Sequence, residues 1–464
     1  MDYLPHTDDD RAAMLAAIGV DAIEALFAAV PAAHRWPQLN LPRPSSELEV
    51  AGTLRAMAAS SQMRAAHSRP AVEGTVFRGG GAYQHYRPPT VDDVLRRGEL
   101  LTAYTPYQPE ASQGMLQAIF EYQSMVCALT AMEVANASHY DGSTALAEGV
   151  LLALDAAPGE RSEVLVLPGL NPHYTAVLQT YLRGGAGRVV ALEEARVDID
   201  TVAASMSERV AAVVVQSPGY LGTIAPVEAL AALAHRHGAL LVVVTDPIAL
   251  GVLRPPGEQG ADVVVAEGQC LGLPMSFGGP YLGILATRRE HVRRLAGRLV
   301  GETVDTAGRR GYVLTLATRE QHIRRARATS NICTNSALGA VAAAVYLATM
   351  GPAGLGEVAM LCHDKAHHAA RALGAIDGVV INPQDPDAPF FKELVAALPC
   401  PVGRVNRLLA ERHGIVGGLD LGADDPTRAG WMLVAVTELC TREAIDCLVD
   451  TVREVCTAEM GSRR

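Results

Sequence analysis

Lysine is nearly missing from this sequence. The 464-residue chain holds two, Lys365 and Lys392, among 39 basic residues; the rest are arginine. Very few positions can therefore supply the primary amine of a Schiff base. Paired cysteines are missing as well. The eight cysteines, at 127, 270, 333, 362, 400, 440, 447 and 456, form no CxxC, so neither a zinc site nor a redox dithiol is indicated, and free thiols in a reducing cytosol are expected. There is no excess of positive charge: the net charge is −11 and the pI about 5.7, which argues against a nucleic-acid partner. The chain does not start with a basic segment followed by an apolar one, so no signal peptide is expected. No run of about 18 or more uncharged apolar residues stands out as a transmembrane span. These absences lead to the expectation of a cytoplasmic protein that meets no membrane.

What is present can bury a large core. With 49% hydrophobic and 19% charged residues, this length suggests two or three lobes. Residues 1–70 read as a helical arm: apolar positions recur at helical spacing over 12–26, and 40-NLPRP-44 breaks them. Residues 74–114, rich in Gly, Pro and Tyr, read as ordered loop. A long helix is predicted at about 114–136 from Met115, Ile119, Val126, Leu129 and Met132. The turn 141-DGST-144 offers N-cap residues to a helix over 145–154.

Short apolar, β-branched runs follow at 164–167, 189–192, 211–215, 240–244 and 261–265, alternating with helical stretches, and 278-GGPYLGILAT-287 adds another strand. Apolar runs without alternation imply strands covered on both faces, hence a mostly parallel sheet in an α/β domain over 71–330. From about 331 to 464 the texture is that of a smaller α+β domain. It has a helix over 335–350 that ends near 351-GPAG-354, strands at 378–381 and 432–436, and a last helix over 441–456.

The strongest local chemical signal is 240-LLVVVTDP-247, a buried strand ending in Asp246. Ligands of open α/β sheets bind beyond the carboxyl ends of strands, and an aspartate there can pair with the protonated ring nitrogen of pyridoxal phosphate. Asp246 could equally cap the turn before Pro247. An enzyme of this layout needs a lysine on the loop after a later strand. The loop after 261-ADVVV-265 reads 266-AEGQCLGLPMSFGGP-280 and has none. Gln269 cannot form an aldimine, because an amide nitrogen is not a basic amine. Neither real lysine is read as a rescue, since Lys365 lies in a helical stretch and Lys392 in the second lobe.

Three further features invite a reading. The segment 104-YTPYQPE-110 carries Tyr104, Tyr107, Gln108 and Glu110, rigid aromatics and polar tips suited to an interface or pocket wall, or to an ordinary Pro-rich turn. His363 and His367 share a helix face at metal-ligand spacing, but no HExxH glutamate accompanies them, and a solvated face is the expectation; no metal is assigned. The basic run 319-REQHIRRARATS-330 suits either an anion, another subunit's acidic surface, or a solvated helix face.

Taken together, longer motifs carry a resemblance. The opening 3-YLPHT-7, the stretch 81-GAYQHYRPPTVDDVLRRGELLTAYTPYQPEASQGMLQAIFEYQSMVCALTAMEVANAS-138, 140-YDGSTALAE-148, 267-EGQCLGLPMSFGGPYLG-283, 300-VGETVDTAGRRGYVLTLATREQHIRRARATSNICTN-335 and 414-GIVGGLDLG-422 resemble the α subunits (subunit 1) of two-subunit bacterial glycine decarboxylases, the P-proteins of the glycine cleavage system. Arg78, Gly80 and Ala111 depart locally from that pattern.

The resemblance implies a fold-type-I pyridoxal-phosphate transferase scaffold. It implies that the cofactor is held by a similar β subunit in an α2β2 assembly, that no cofactor is covalently bound to this chain, and that Gln269 stands where the β lysine would be. With that β subunit, glycine would be decarboxylated and its aminomethyl group passed to the lipoyl arm of the H-protein. Tyr104, Tyr107, Gln108 and Glu110 would contribute to the interface or the partner's active site, and Asp246 and Gln269 would mark a degenerate pocket. The alternatives are a non-catalytic regulatory or carrier-docking protein on the same scaffold, and a self-sufficient enzyme, which the missing lysine opposes.

Overall fold

The structure, a computed structural model, describes residues 5–61, 74–101, 105–192, 196–328 and 330–462. It divides into two compact units, residues 1–62 and 63–464. The first contains the helix Asp8–Ile18, the short 3-10 turns Ile23–Phe27 and Ala32–His34, and the helix Glu47–Ser61. Thr7 and Asp10 close a reciprocal capping box on its first helix, and Gly19 ends that helix in the left-handed region. Phe27 and Trp36 meet edge to face, 5.1 Å apart.

Among the described residues, thirteen strands are found, all in the second unit. In chain order they are β1 (Val134–Ala135), β2 (Glu163–Val166), β3 (Arg188–Ala191), β4 (Val210–Gln216), β5 (Leu240–Thr245), β6 (Val263–Glu267), β7 (Gly283–Thr287), β8 (Leu299–Val304), β9 (Arg310–Thr315), β10 (Val380–Ile381), β11 (Glu393–Ala397), β12 (Leu419–Asp420) and β13 (Trp431–Ala435). Seven of them form one sheet in the order β1-β7-β6-β5-β4-β2-β3. From β3 to β6 neighbouring strands are parallel, and β7 and β1 close the edge antiparallel. This is the α/β architecture with a mostly parallel central sheet. Val242, Val243, Val264 and Val265 are fully buried, as strands covered on both faces require. The edge strand β3 is half exposed, so the both-faces expectation fails there for want of an outer neighbour.

Register positions the site. Thr245 of β5 lies opposite Ala266 of β6, so Asp246 and Glu267 come side by side where the sheet's carboxyl edge ends.

The smaller antiparallel sheet has the order β10-β11-β13-β12. Its core takes in the helices Val402–His413 and Arg442–Ser462, with Phe77 inserted. The helix Ala337–Gly374 joins the two sheets. Ala340 and Tyr346 pack in the core of the large sheet, and Ala366, Ala369 and Leu373 in that of the small one. Gly351, with φ +62, breaks it before Pro352, at the place where the sequence ends its helix; proline clashes with the preceding turn and glycine absorbs the kink. By length and composition this helix is apolar enough to cross a membrane, which corrects the expectation that nothing in the chain is. Its residues contribute to two protein cores.

Other expectations need redrawing. The helix expected to reach 136 stops at Thr130, where Ala131 turns left-handed at φ 55, and Val134–Ala135 pairs with β7. The segment 74–114 is not all loop: it contains the helices Pro89–Leu95 and Gly98–Leu101 and the turn Pro109–Ala111. The hairpin of β8 and β9 falls in a stretch where no strand is read from the sequence.

Candidate functional site

Beyond the carboxyl ends of β4, β5 and β6 lies a pocket lined by Tyr83, Tyr174, Asp246, Glu267, Gln269 and Lys392, among others. Asp246 combines both readings of its position. Its Oδ1 accepts from the Ile248 backbone N–H at 2.9 Å, capping the turn, while Oδ2 faces into the pocket. Its partner there is Lys392. The ammonium Nζ lies 2.6 Å from Oδ2, and the Lys392 side chain is 2% exposed. Lys392 lies in the second lobe as read from sequence, yet its side chain enters this pocket, which the sequence does not reveal. The residue immediately precedes β11, and from there its side chain reaches the large sheet.

The cation is caged on three sides. Besides Asp246, Nζ sits 3.6 Å from the centroid of the Tyr83 ring and 3.0 Å from His85 Nε2. An ammonium has only donors, so Nε2 accepts, and the ring proton sits on Nδ1, which donates to Glu438 Oε2 at 2.7 Å. Burial and the Lys392 charge hold His85 below its ordinary pKa, consistent with this neutral tautomer. Burial is the largest single influence and disfavours the Lys392 cation, but the charge and hydrogen bond of Asp246, with smaller contributions from its other neighbours, together keep the amine above the usual lysine value. Removing one member of such a buried pair strands the other, at a cost of about 3–5 kcal/mol.

His85, Cys362 and Glu438 place their ligand atoms within 4.8 Å of one another. They are already bonded together: Cys362 Sγ lies 3.4 Å from Glu438 Oε2, and burial pushes that thiol up into its protonated form.

Gln269, two residues past β6, is fully engaged. Its Oε1 accepts from Tyr83 N–H at 3.0 Å, and its Nε2 donates to the carbonyls of Tyr83 and Leu273 at 3.0 and 2.8 Å. The carboxamide pairs with the backbone as a neighbouring strand would. Glu267, from the end of β6, accepts N–H bonds from Gly142, Gln269 and Leu282 at 2.9, 2.9 and 3.0 Å. Gly142 opens the helix Gly142–Ala156, whose N-cap Asp141 takes the Thr144 N–H at 2.8 Å. A side chain at Gly142 would strike the Tyr174 hydroxyl, so glycine lets that ring pack against the start of the helix. Burial raises the Glu267 carboxyl to about 7 against the pull of its three donors. Glu393 accepts from Gly80 N–H and the Tyr83 hydroxyl, both at 2.7 Å, and burial raises it to about 7 as well.

Pyridoxal phosphate does not fit this set of residues. It would need a free carboxylate for its ring nitrogen, an amine for its carbonyl carbon and an anion cradle. Asp246 is taken by Lys392, Gln269 stands on the loop where the amine belongs, and two carboxylates cover the helix N-terminus. The space left is about 40 Å³, enough for a few waters at roughly 10–15 Å³ each.

Of the other residues singled out from sequence, Tyr104 lies outside the described residues. Tyr107, Gln108 and Glu110 are exposed and do not line this pocket. The Tyr107 hydroxyl accepts from Arg298 Nη2 at 2.8 Å, with the guanidinium 5.2 Å from its ring centroid. The His363 and His367 rings lie 4.0 Å apart and tilted, and His367 lies flat on Phe390, while the His363 side chain stays 40% exposed, so that face is partly solvated and partly packed. In the basic run, residues 319–328 form short turns, and Arg319 is drawn back onto the carbonyls of Leu295 and Gly297.

Sequence reasoning missed Tyr83, His85, Glu267, Lys392, Glu393 and Glu438. Two signals were there to read. Tyr83 and His85 stand at i, i+2 in an extended stretch and so share a side, and 390-FFKELVAAL-398 sets two adjacent charges into an otherwise apolar run.

The model of the glycine cleavage system P-protein family matches residues 1–452. The chain is 51% identical to the probable glycine dehydrogenase (decarboxylating) subunit 1 of Thermomicrobium roseum, over 98% of this chain and 99% of that one. It is 47% identical to the protein of the same name from Moorella thermoacetica, over 98% and 100%. Among solved structures, a glycine decarboxylase (P-protein) of the glycine cleavage system in inhibitor-bound form superposes with a TM-score of 0.88 at 47% identity, covering 98% of this chain and all of that one. A sphingosine-1-phosphate lyase from Burkholderia pseudomallei, 15% identical with a TM-score of 0.64 over 93% of this chain, shares the fold alone. With its layout, its altered pocket and a near full-length match in agreement, the chain belongs to the glycine cleavage system P-protein family.

Proposed function

We propose that this chain is the cofactor-free α subunit of a two-chain glycine decarboxylase. With a β subunit that carries pyridoxal phosphate, in an α2β2 complex in the cytoplasm, it decarboxylates glycine and passes the aminomethyl group to the lipoyl arm of the H-protein. The observation that carries the reading is the pocket: Asp246 is retained, but Gln269 stands in the lysine loop and Lys392 is locked on Asp246. The arm 1–70, the lobe 71–330 and the lobe 331–464 form its three parts, and the segment with Tyr104, Tyr107, Gln108 and Glu110 faces the partner's active site.

The test is glycine–bicarbonate exchange with lipoylated H-protein, using this chain alone, its β partner alone, and the two mixed. Activity only in the mixture is expected. Exchange by this chain alone, or an inactive mixture of folded subunits, would overturn the assignment.

A further inference from the structure

We propose that the pocket is filled from within: the Lys392 ammonium occupies the place of a cofactor's ring cation, and the Glu267 carboxylate that of its phosphate anion. The proposal rests on the reading above, in which the cofactor belongs to the partner, and goes beyond it. The loss of one lysine does not describe this site. The chain brings its own cation and its own anion to the two positions where a pyridoxal-phosphate-type ligand would bring them.

Two sets of observations carry it. At the cation end, Asp246 offers one carboxylate oxygen to the pocket, and Lys392 Nζ meets it at 2.6 Å. The ammonium has a ring beneath it in Tyr83 and a single neutral acceptor in His85. A protonated pyridine nitrogen would want the same carboxylate. At the anion end, a helix N-terminus presents free N–H groups and a positive dipole end, the ordinary place for a phosphate. Here Glu267 Oε2 takes the Gly142 N–H at 2.9 Å and Asp141 takes that of Thr144. Glu267 is not there merely as a cap, because it comes from the neighbouring strand and also holds the Gln269 and Leu282 amides. An incoming phosphate would meet the Glu267 and Asp141 carboxylates instead of free donors. Among these side chains about 40 Å³ remains, beside a larger opening of about 1160 Å³ that shares Tyr83 and Gln269.

The test uses the isolated full chain and pyridoxine 5′-phosphate, which has the ring nitrogen and the phosphate but no aldehyde, so lysine chemistry cannot contribute. Wild type should show no saturable rise in melting temperature with this probe. Lys392→Ala should melt several degrees lower, because Asp246 is left buried without its cation. Most of that loss should return in Lys392→Ala/Asp246→Asn, or on adding ethylammonium chloride to Lys392→Ala, but not with sodium chloride. Lys392→Ala/Glu267→Ala, with both stand-ins removed, should gain a saturable stabilisation by pyridoxine 5′-phosphate. If that double variant fails to fold, Lys392→Ala/Glu267→Gln, which keeps the size of the side chain and removes its charge, is titrated with the same probe and judged by the same criterion.

The proposal is overturned by Lys392→Ala melting as wild type does. It is overturned equally by a folded double variant indifferent to the probe, or by ethylammonium giving no more than sodium. A wild-type chain that develops an aldimine absorbance band with pyridoxal phosphate would instead defeat the partner-borne cofactor, a different and separable failure.

Discussion

A carboxamide with both ends engaged cannot be exchanged for an amine without loss, and Gln269 is in that state. Its three backbone bonds tie the loop after β6 to Tyr83 and Leu273. Gln269→Lys removes the acceptor and points a second cation toward Lys392. It is expected to destabilise the chain by about 1–3 kcal/mol, the cost of unpaired buried backbone groups. No aldimine band should appear on adding pyridoxal phosphate, as absorbance titration and thermal melts would check. A stoichiometric band removed by borohydride would show an intact pocket short of one amine.

His139 sets a pH dependence of its own. It is fully buried, and neither ring nitrogen has a hydrogen-bond partner among the described residues. Burial depresses its pKa to about 4 from 6.5. Between those values the unfolded chain binds more protons than the folded one, so stability rises with pH across this window and is lost as pH falls. The slope from this residue is at most about 1.4 kcal/mol per pH unit. His139→Leu should flatten the profile below pH 6.5 and leave it parallel to wild type above. Parallel unfolding profiles throughout would show that the ring does not titrate abnormally.

At the scale of elements, what was legible depended on how local the cause was. The runs 211–215 and 240–244 are apolar enough to announce a doubly covered sheet, and 141-DGST-144 carries its cap in its own side chains. β11 went unread because Lys392 and Glu393 interrupt its apolar run. Those charges are tolerable there only because Asp246, Gly80 and Tyr83 meet them from elsewhere. The hairpin of β8 and β9 likewise depends on its partner strand, and Gln123 from the helix Gln113–Thr130 holds Val300 through bonds of 3.0 Å in both directions.

The Tyr107 segment is a separate element. Tyr107→Phe keeps the ring under Arg298 but removes the acceptor that the guanidinium uses. If the segment serves the partner's active site as proposed, exchange should fall roughly tenfold, the equivalent of about 1.4 kcal/mol, because a hydrogen bond to a charged group is worth about 1.5–3 kcal/mol. Assembly by size-exclusion chromatography should persist. Unchanged kinetics would make the segment structural.

For the whole molecule, the sequence by itself determined the α/β class, the Asp246 strand, the lack of a lysine in the loop of Gln269 and the family resemblance. These depend on composition, short-range period and contiguous motifs, all of which are linear properties. It could not place Lys392. The amine belongs by sequence to the small lobe and by position to the large sheet, because β11 begins where the two cores meet along the helix Ala337–Gly374. Nor could it show that the helix Gly142–Ala156 has its N-terminus covered by a glutamate from another strand. Only the tertiary structure decided these pairings. A buried charge is stable only beside its counter-charge, and the fold chooses which distant residues become neighbours.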